Sequence, residues 1–221
     1  MYNLTCMKNL IFDLDGTLWD ATETNRKSFE DVGKEFFGPS YTLTLEQLKQ
    51  EMGKTMDVIA KDITPDGIDE ITMKKFAFTC FAKEVFNLAT NPGKLYENEL
   101  EVLEALKKEY NLYIVSNCQK GYIDQYINIV PSDMFKSFLC FGDTNASKDI
   151  TILELMRREH LKDAIYIGDT LGDEISAHKA NIPFISACYG FGTCDKPEGV
   201  INSLIELKPI ADLIYKQHFN K

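Results

Sequence analysis

Leu10-Ile11-Phe12 is an unbroken run of branched and aromatic residues, the pattern of a strand buried on both faces, and predicts a strand over residues 8–14. Over residues 19–37 the pattern changes: Phe29, Val32, Phe36 and Phe37 recur at helical spacing, ended by Gly38-Pro39. Leu43, Leu45, Leu48 and Met52 predict a short helix closed by Gly53, and residues 56–63 a third. After the turn Pro65-Asp66-Gly67, a longer helix is predicted over 68–88, with Ile71, Phe78, Phe81, Val85 and Phe86 as its apolar stripe. Beyond Asn91-Pro92-Gly93 the period alternates. Strands at 112–115, 138–141, 164–167 and 182–187 are interleaved with helices at 98–109, 122–129, 150–160 and up to Ala180. Residues 200–219 read as a final helix broken at Pro209.

Strand, helix, strand in repetition implies an α/β protein with a parallel sheet covered on both faces. The first strand belongs to that sheet, so the helical block is an insertion immediately after it. The expected division is a core of residues 1–16 and 91–221 and an all-helical domain of 17–90, with junctions near 15–20 and 89–94. No internal repeat or low-complexity tract is present.

Composition narrows the function classes. A 221-residue chain with 44% hydrophobic residues suits one large domain or a core with a smaller insert. No run approaches the ~18 apolar residues of a membrane span and no basic-then-apolar leader is visible, so a cytoplasmic, non-membrane protein is expected. Cys6, Cys80, Cys118, Cys140, Cys188 and Cys194 are scattered, without zinc-ligand spacing, and are expected as reduced thiols. The formal net charge of −10 argues against nucleic acid. It would also repel a phosphorylated metabolite, so such a substrate needs local cations, either a metal or a few lysines.

Four places carry candidate chemistry. The first strand ends in Asp13-Leu14-Asp15-Gly16-Thr17. Carboxylates at i and i+2 of an extended segment lie about 6 to 7 Å apart and are costly without a cation between them. A hard divalent cation such as Mg²⁺ suits that oxygen-rich stretch, and Gly16 lets the chain turn sharply. Asp-Gly alone would be an ordinary turn and Asp15 a helix cap. Ser116 and Asn117 close the second core strand, where they could donate to a phosphate oxygen or simply cap a helix. Lys148 opens the helix that leads to the last acidic strand, a position where a lone lysine is usually solvated. Finally, Gly168-Asp169-Thr170-Leu171-Gly172-Asp173 follows a strand, with two acids at i and i+4 that could approach one cation or serve as caps.

Taken together and in this order, these stretches resemble the four motifs of the haloacid dehalogenase superfamily, and the resemblance covers nearly the whole chain. Lys148-Asp149-Ile150 departs from relatives in which proline follows the lysine. The helical insert looks like the cap of the phosphoglycolate phosphatase and β-phosphoglucomutase subgroup. The resemblance implies a Rossmann-like core with a mobile cap, and a Mg²⁺-dependent phosphatase for a small phosphorylated metabolite, phosphoglycolate-like or a sugar phosphate. It implies Asp13 as a nucleophile forming an aspartyl-phosphate, and Asp15 as general acid and then base. Asp13, the Asp15 carbonyl and Asp169 would hold the metal with Asp173 in or near its outer shell. Ser116, Asn117 and Lys148 would bind phosphate. Dehalogenases of the superfamily lack the second aspartate, so Asp15 argues for phosphate chemistry.

Three alternatives follow from the same scaffold. A sugar-phosphate mutase would carry a cap histidine, whereas His160, His178 and His218 all lie in the core portion. Phosphonate cleavage would need a Schiff-base lysine, for which Lys27 and Lys54 are candidates. A non-catalytic phosphate-binding protein is the third. Substrate selection is expected from Asn25, Arg26, Gly53 and Lys54, the run Tyr189-Gly190-Phe191-Gly192 is a candidate border of the site, and the expected state is a monomer or weak dimer.

Overall fold

The computed structural model describes residues 7–219. Cys6 lies outside the described residues; Cys80, Cys118, Cys140, Cys188 and Cys194 are all free thiols. The chain opens with β1 (Lys8–Phe12) and a two-residue strand β2 (Trp19–Asp20). Four helices follow: α1 (Thr22–Phe37), α2 (Leu45–Lys49), α3 (Met56–Ile63) and α4 (Glu70–Leu88). Next come β3 (Lys94–Leu95), α5 (Glu99–Leu106), β4 (Tyr110–Ser116), α6 (Tyr122–Ile127), β5 (Ser137–Cys140) and α7 (Phe141–Thr144). The remainder is α8 (Lys148–Arg158), β6 (Ile165–Gly168), α9 (Leu171–Lys179), β7 (Phe184–Ala187), β8 (Gly199–Ile201) and α10 (Leu207–His218).

Among the described residues, six strands form one parallel sheet in the order β5-β4-β1-β6-β7-β8. This is an α/β, Rossmann-like core, and the order in which strands are added to the sheet reverses at β1, which pairs β4 on one side and β6 on the other. Open α/β sheets place ligands outside the carboxyl ends of their strands at such a switch point. Phe12 pairs with both Ile114 and Ile167, so the residues that follow each of these strands emerge side by side. Alternation along β1 feeds two apolar layers: Leu10 and Phe12 pack with Leu103, Tyr126 and Ile214 on one face, and Ile11 with Ile152, Leu155 and Ala177 on the other. The α1–α4 block has its own buried cluster around Phe29, Leu48, Ile59, Phe76 and Cys80.

Several elements depart from the sequence reading. Trp19 does not begin a helix. Trp19 and Asp20 pair antiparallel with Leu95 and Lys94, so a two-stranded ribbon ties the two ends of the helical block. A two-residue strand whose partner lies far along the chain has no local signature. On α4 the expected stripe is split: Ile71, Phe78 and Phe86 are 67%, 72% and 71% exposed, Phe81 packs half-buried against the block's own cluster, and Phe76, Ala77, Cys80, Glu84 and Leu88 are buried. This helix is apolar around much of its circumference, so periodicity alone does not choose the inner face. Near the C-terminus, β8 precedes α10, and Pro209 sits in the first turn of α10, where its missing N–H costs no helical bond.

Candidate active site

Asp13 follows β1, and its N–H donates to Ile167 O at 2.8 Å, which holds the loop against the end of β6. Gly16 turns the chain back with φ +84°, and a Cβ there would lie 2.2 Å from Asp169 Oδ2. The turn therefore needs glycine for two reasons, its left-handed backbone and its contact with an acid. Gly190, in the loop after β7, is equally confined, since its Cβ would stand 2.3 Å from Asp169 Cβ. The neighbouring Phe191 N–H donates to Asp169 Oδ2 at 2.7 Å, and Tyr189 OH to Thr17 O at 2.8 Å. The Tyr189–Gly192 run thus borders the site.

Asp13, Asp169 and Asp173 are all buried, and carboxylate oxygens of the three lie within 4.8 Å of one another. Lys148, the first residue of α8, reaches between two of them, with Nζ 2.9 Å from Asp13 Oδ1 and 2.5 Å from Asp173 Oδ1. Asp173 serves two purposes at once. Its Oδ2 accepts from Thr170 N–H and Oγ1 at 3.0 and 2.6 Å, completing a capping box on α9, while Oδ1 faces the lysine. The helix-cap explanation of this acid and its place in the cluster are both correct.

One lysine does not balance three buried carboxylates. Burial first, then the charge of Asp173, raises the Asp13 carboxyl to about 6. Asp169 is pushed well above its usual range by burial and by Asp173 and Asp13. Burial disfavours the Lys148 ammonium, yet Asp13 and Asp173 hold its pKa above the ordinary lysine value. Such a cluster of hard oxygen donors fits a divalent cation, which would supply the missing positive charge.

Asp15 stands apart from that cluster. Its side chain turns toward the cavity wall, where Oδ1 accepts from Trp19 Nε1 at 3.0 Å and Tyr122 OH at 2.8 Å. Burial raises its carboxyl to about 7, against the pull of those two donors. Neither Trp19 nor Tyr122 stands out in the sequence as a site residue, because the ribbon and α6 that bring them here are tertiary features.

A partly open cavity of about 40 Å³ lies between the strand ends and the helical block. Asp13, Asp15, Ser116 and Asn117 line its floor. Of the expected selectivity residues, Asn25, Gly53 and Lys54 line it as well, and Asn117 Nδ2 donates to Gly53 O at 2.7 Å across the gap. Arg26 does not border it. Its guanidinium pairs with Glu23 at 3.1 Å and with Glu30, and donates to Leu43 O. Lys54 Nζ is held by Glu51 and Asp62 at 2.7 and 2.9 Å, which raise its pKa although burial opposes them. A lysine kept protonated is unsuited to form a Schiff base. Lys27 is exposed and pairs with Glu23. Glu84, from the buried face of α4, lines the cavity and is missed by the sequence reading. Only the misassigned stripe of that helix hid it.

Comparison with known proteins agrees with the geometry. A family model described as haloacid dehalogenase-like hydrolase matches residues 10–187. The chain is 22% identical over 219 residues to phosphoglycolate phosphatase 1 of Pseudomonas aeruginosa, covering 92% of this chain and 79% of that protein. It is 28% identical over 172 residues to the pyrophosphatase PpaX of Listeria monocytogenes, covering 74% and 75%. A solved structure of a predicted phosphoglycolate phosphatase from Haemophilus somnus superposes with a TM-score of 0.82 at 22% identity, covering 94% of this chain and 99% of that one. The chain belongs to the haloacid dehalogenase-like hydrolases, an enzyme family, as its four motifs led us to expect.

Proposed function

We propose that this member of the haloacid dehalogenase-like hydrolases is a Mg²⁺-dependent phosphatase of a small phosphorylated metabolite, working through an aspartyl-phosphate. The observation that carries the reading is the buried Asp13-Asp169-Asp173 cluster around Lys148, opening on a cavity that Asp15 also faces. The names of the two sequence relatives support phosphoryl chemistry and differ in the substrate.

In this reading a carboxylate oxygen of Asp13 attacks phosphorus and the ester oxygen leaves in line. Asp15, whose carboxyl stays protonated to about pH 7, gives its proton to the departing alcohol. It then takes a proton from the water that attacks the aspartyl-phosphate, so acid and base are one residue. Trp19 and Tyr122 orient it by donating to the same oxygen. Ser116, the Asn117 backbone and Lys148 bind the transferring oxygens. Asp13, the Asp15 carbonyl, Asp169 and Asp173 are the groups that would hold the metal, which supplies charge neutralisation for phosphoryl transfer. A covalent intermediate divides one difficult displacement into two easier ones. Residues 17–90 act as the cap, hinged at the β2-β3 ribbon, and 1–16 with 91–221 as the catalytic core.

The test is phosphate release from a panel of phosphomonoesters with and without Mg²⁺. Wild-type protein should turn over at least one ester only with the metal. Asp13→Asn should lower kcat by about 10⁴-fold or more, and Asp15→Ala by roughly 10²- to 10⁴-fold. Turnover that survives Asp13→Asn would overturn the covalent route.

A further inference from the structure

Among the described residues, two buried polar atoms of the cap have no hydrogen-bond partner: Asn25 Oδ1 and Glu84 Oε2. Both residues line the cavity that holds Asp13 and Asp15, and both are 4% exposed. Burying such acceptors unpaired is unfavourable, and native proteins avoid it unless a ligand completes them. The orientation of Asn25 follows from its neighbours. Tyr122 OH gives its hydrogen to Asp15 Oδ1 at 2.8 Å, so toward Asn25 Nδ2, 2.8 Å away, it can only accept. The amide nitrogen therefore faces Tyr122, and the oxygen is the atom left over.

The cap side of the cavity thus offers acceptors to whatever the phosphoryl group is attached to. It offers no free cation. Among the described residues, Lys54 is engaged by Glu51 and Asp62, Lys148 lies between Asp13 and Asp173, and Arg26 is turned away toward Glu23 and Glu30. A leaving group bearing a carboxylate or a second phosphate would find no cation on this wall to pair with. Burial, then the charge of Asp15, raises the Glu84 carboxyl well above its ordinary value, and a positively charged donor beside it would offset that cost while satisfying both acceptors. The cavity volume of about 40 Å³ favours a compact ester in this geometry. The apolar lining of Phe29, Met52, Met56 and Ile59 leaves few other polar contacts for it on the cap side.

Resting on the phosphatase reading, we infer that the substrate is the phosphate ester of a small amino alcohol, its ammonium group received by Glu84 and Asn25. Glu84 is thereby a specificity residue of the cap rather than part of the phosphoryl-transfer machinery.

The experiment is a set of two-carbon esters differing only at the far end: 2-aminoethyl phosphate, 2-hydroxyethyl phosphate, ethyl phosphate and phosphoglycolate. Each is assayed for phosphate release with Mg²⁺, using wild-type and Glu84→Gln protein. The wild type should favour the amine ester over the hydroxyl ester by about tenfold or more in kcat/KM, with phosphoglycolate the poorest. In Glu84→Gln the amine-to-hydroxyl ratio should fall to within about threefold of unity, because the amide keeps the shape and loses the charge. Hydrolysis with no preference for the amine, a preference for phosphoglycolate, or a ratio unchanged in Glu84→Gln would each overturn this inference and leave the phosphatase standing. No release from these four with release from other phosphomonoesters would overturn this inference alone, and no release from any phosphomonoester would overturn both.

Discussion

On the sheet side of the cavity, Lys148 Nζ touches Asp13 at 2.9 Å and Asp173 at 2.5 Å, and Asp169 accepts from Phe191 N–H. Across the gap, on the cap side, Glu84 and Asn25 are as deeply buried, yet each has an oxygen with no partner. The floor is a polar network tied together by its own side chains and short only of positive charge. The roof is an apolar wall with two acceptors waiting for something outside the chain. The difference separates two kinds of work. A phosphoryl group is the same in every ester, so the groups that handle it can be completed within the protein; the leaving group varies, and what selects it must stay incomplete until it arrives.

If the floor is a self-supporting network, breaking it should be expensive. In chelated buffer, Lys148→Met should lower the urea unfolding free energy by about 3 to 5 kcal/mol, since Asp13 and Asp173 lose their shared cation in the interior. A loss under about 1 kcal/mol would mean that the carboxylates find other partners, and the contrast with the roof would fail.

Glu99 is an intermediate case, a buried acid that does not line the cavity and is satisfied by neutral donors. Tyr126 OH reaches its Oε1 at 2.7 Å and Tyr96 N–H its Oε2 at 3.1 Å. Burial nevertheless raises its carboxyl from 4.5 to about 7. The folded chain holds this proton more tightly than the unfolded one, so the contribution to stability is full below about pH 4.5 and is lost as pH rises through about 7. At about 1.4 kcal/mol per tenfold in proton affinity, the loss is on the order of 3 kcal/mol. Urea titrations from pH 4.5 to 8 should show this decline in the wild type and a flatter profile in Glu99→Gln; parallel profiles would remove Glu99 from the account.

The smallest effect is expected on the roof, with the opposite sign. Glu84→Met replaces an unpartnered buried carboxyl by an apolar side chain of similar length and should raise unfolding stability by about 1 kcal/mol. Destabilisation of about 2 kcal/mol or more would show that Glu84 is satisfied from within the fold, and the two sides of the cavity would then be alike.

Much of the floor was legible in the chain, and for a local reason. Asp13 and Asp15 follow an apolar strand, and Asp169 and Asp173 follow another, so each motif sits in one continuous segment that carries its own secondary-structure signal. The α/β alternation by itself places those segments at the ends of parallel strands. Asp15 is the instructive member of the set. Its place beside Asp13 was readable, but its separation from the carboxylate cluster was not, because Trp19 and Tyr122 reach it from a ribbon and a helix that only folding brings near.

The cap resisted reading for a different reason. On α4, Ile71, Phe78 and Phe86 form as good a stripe as Phe76, Ala77 and Cys80, and the exposed set is the more hydrophobic to the eye. Arg26, attractive as a lone arginine near the site, is consumed by Glu23 and Glu30 on its own helix.

By itself the sequence determined the sheet, the inserted helices and the acidic residues at the strand ends, because strand period, turn residues and motif spacing are properties of neighbours along the chain. Only the tertiary structure decided which face of α4 looks inward, that Glu84 and Asn25 share a cavity with Asp15, and that Trp19 and Tyr122 hold the Asp15 side chain. Those are contacts between segments many tens of residues apart, selected by packing and by the cost of leaving charge unpaired in the interior, and no local pattern encodes them.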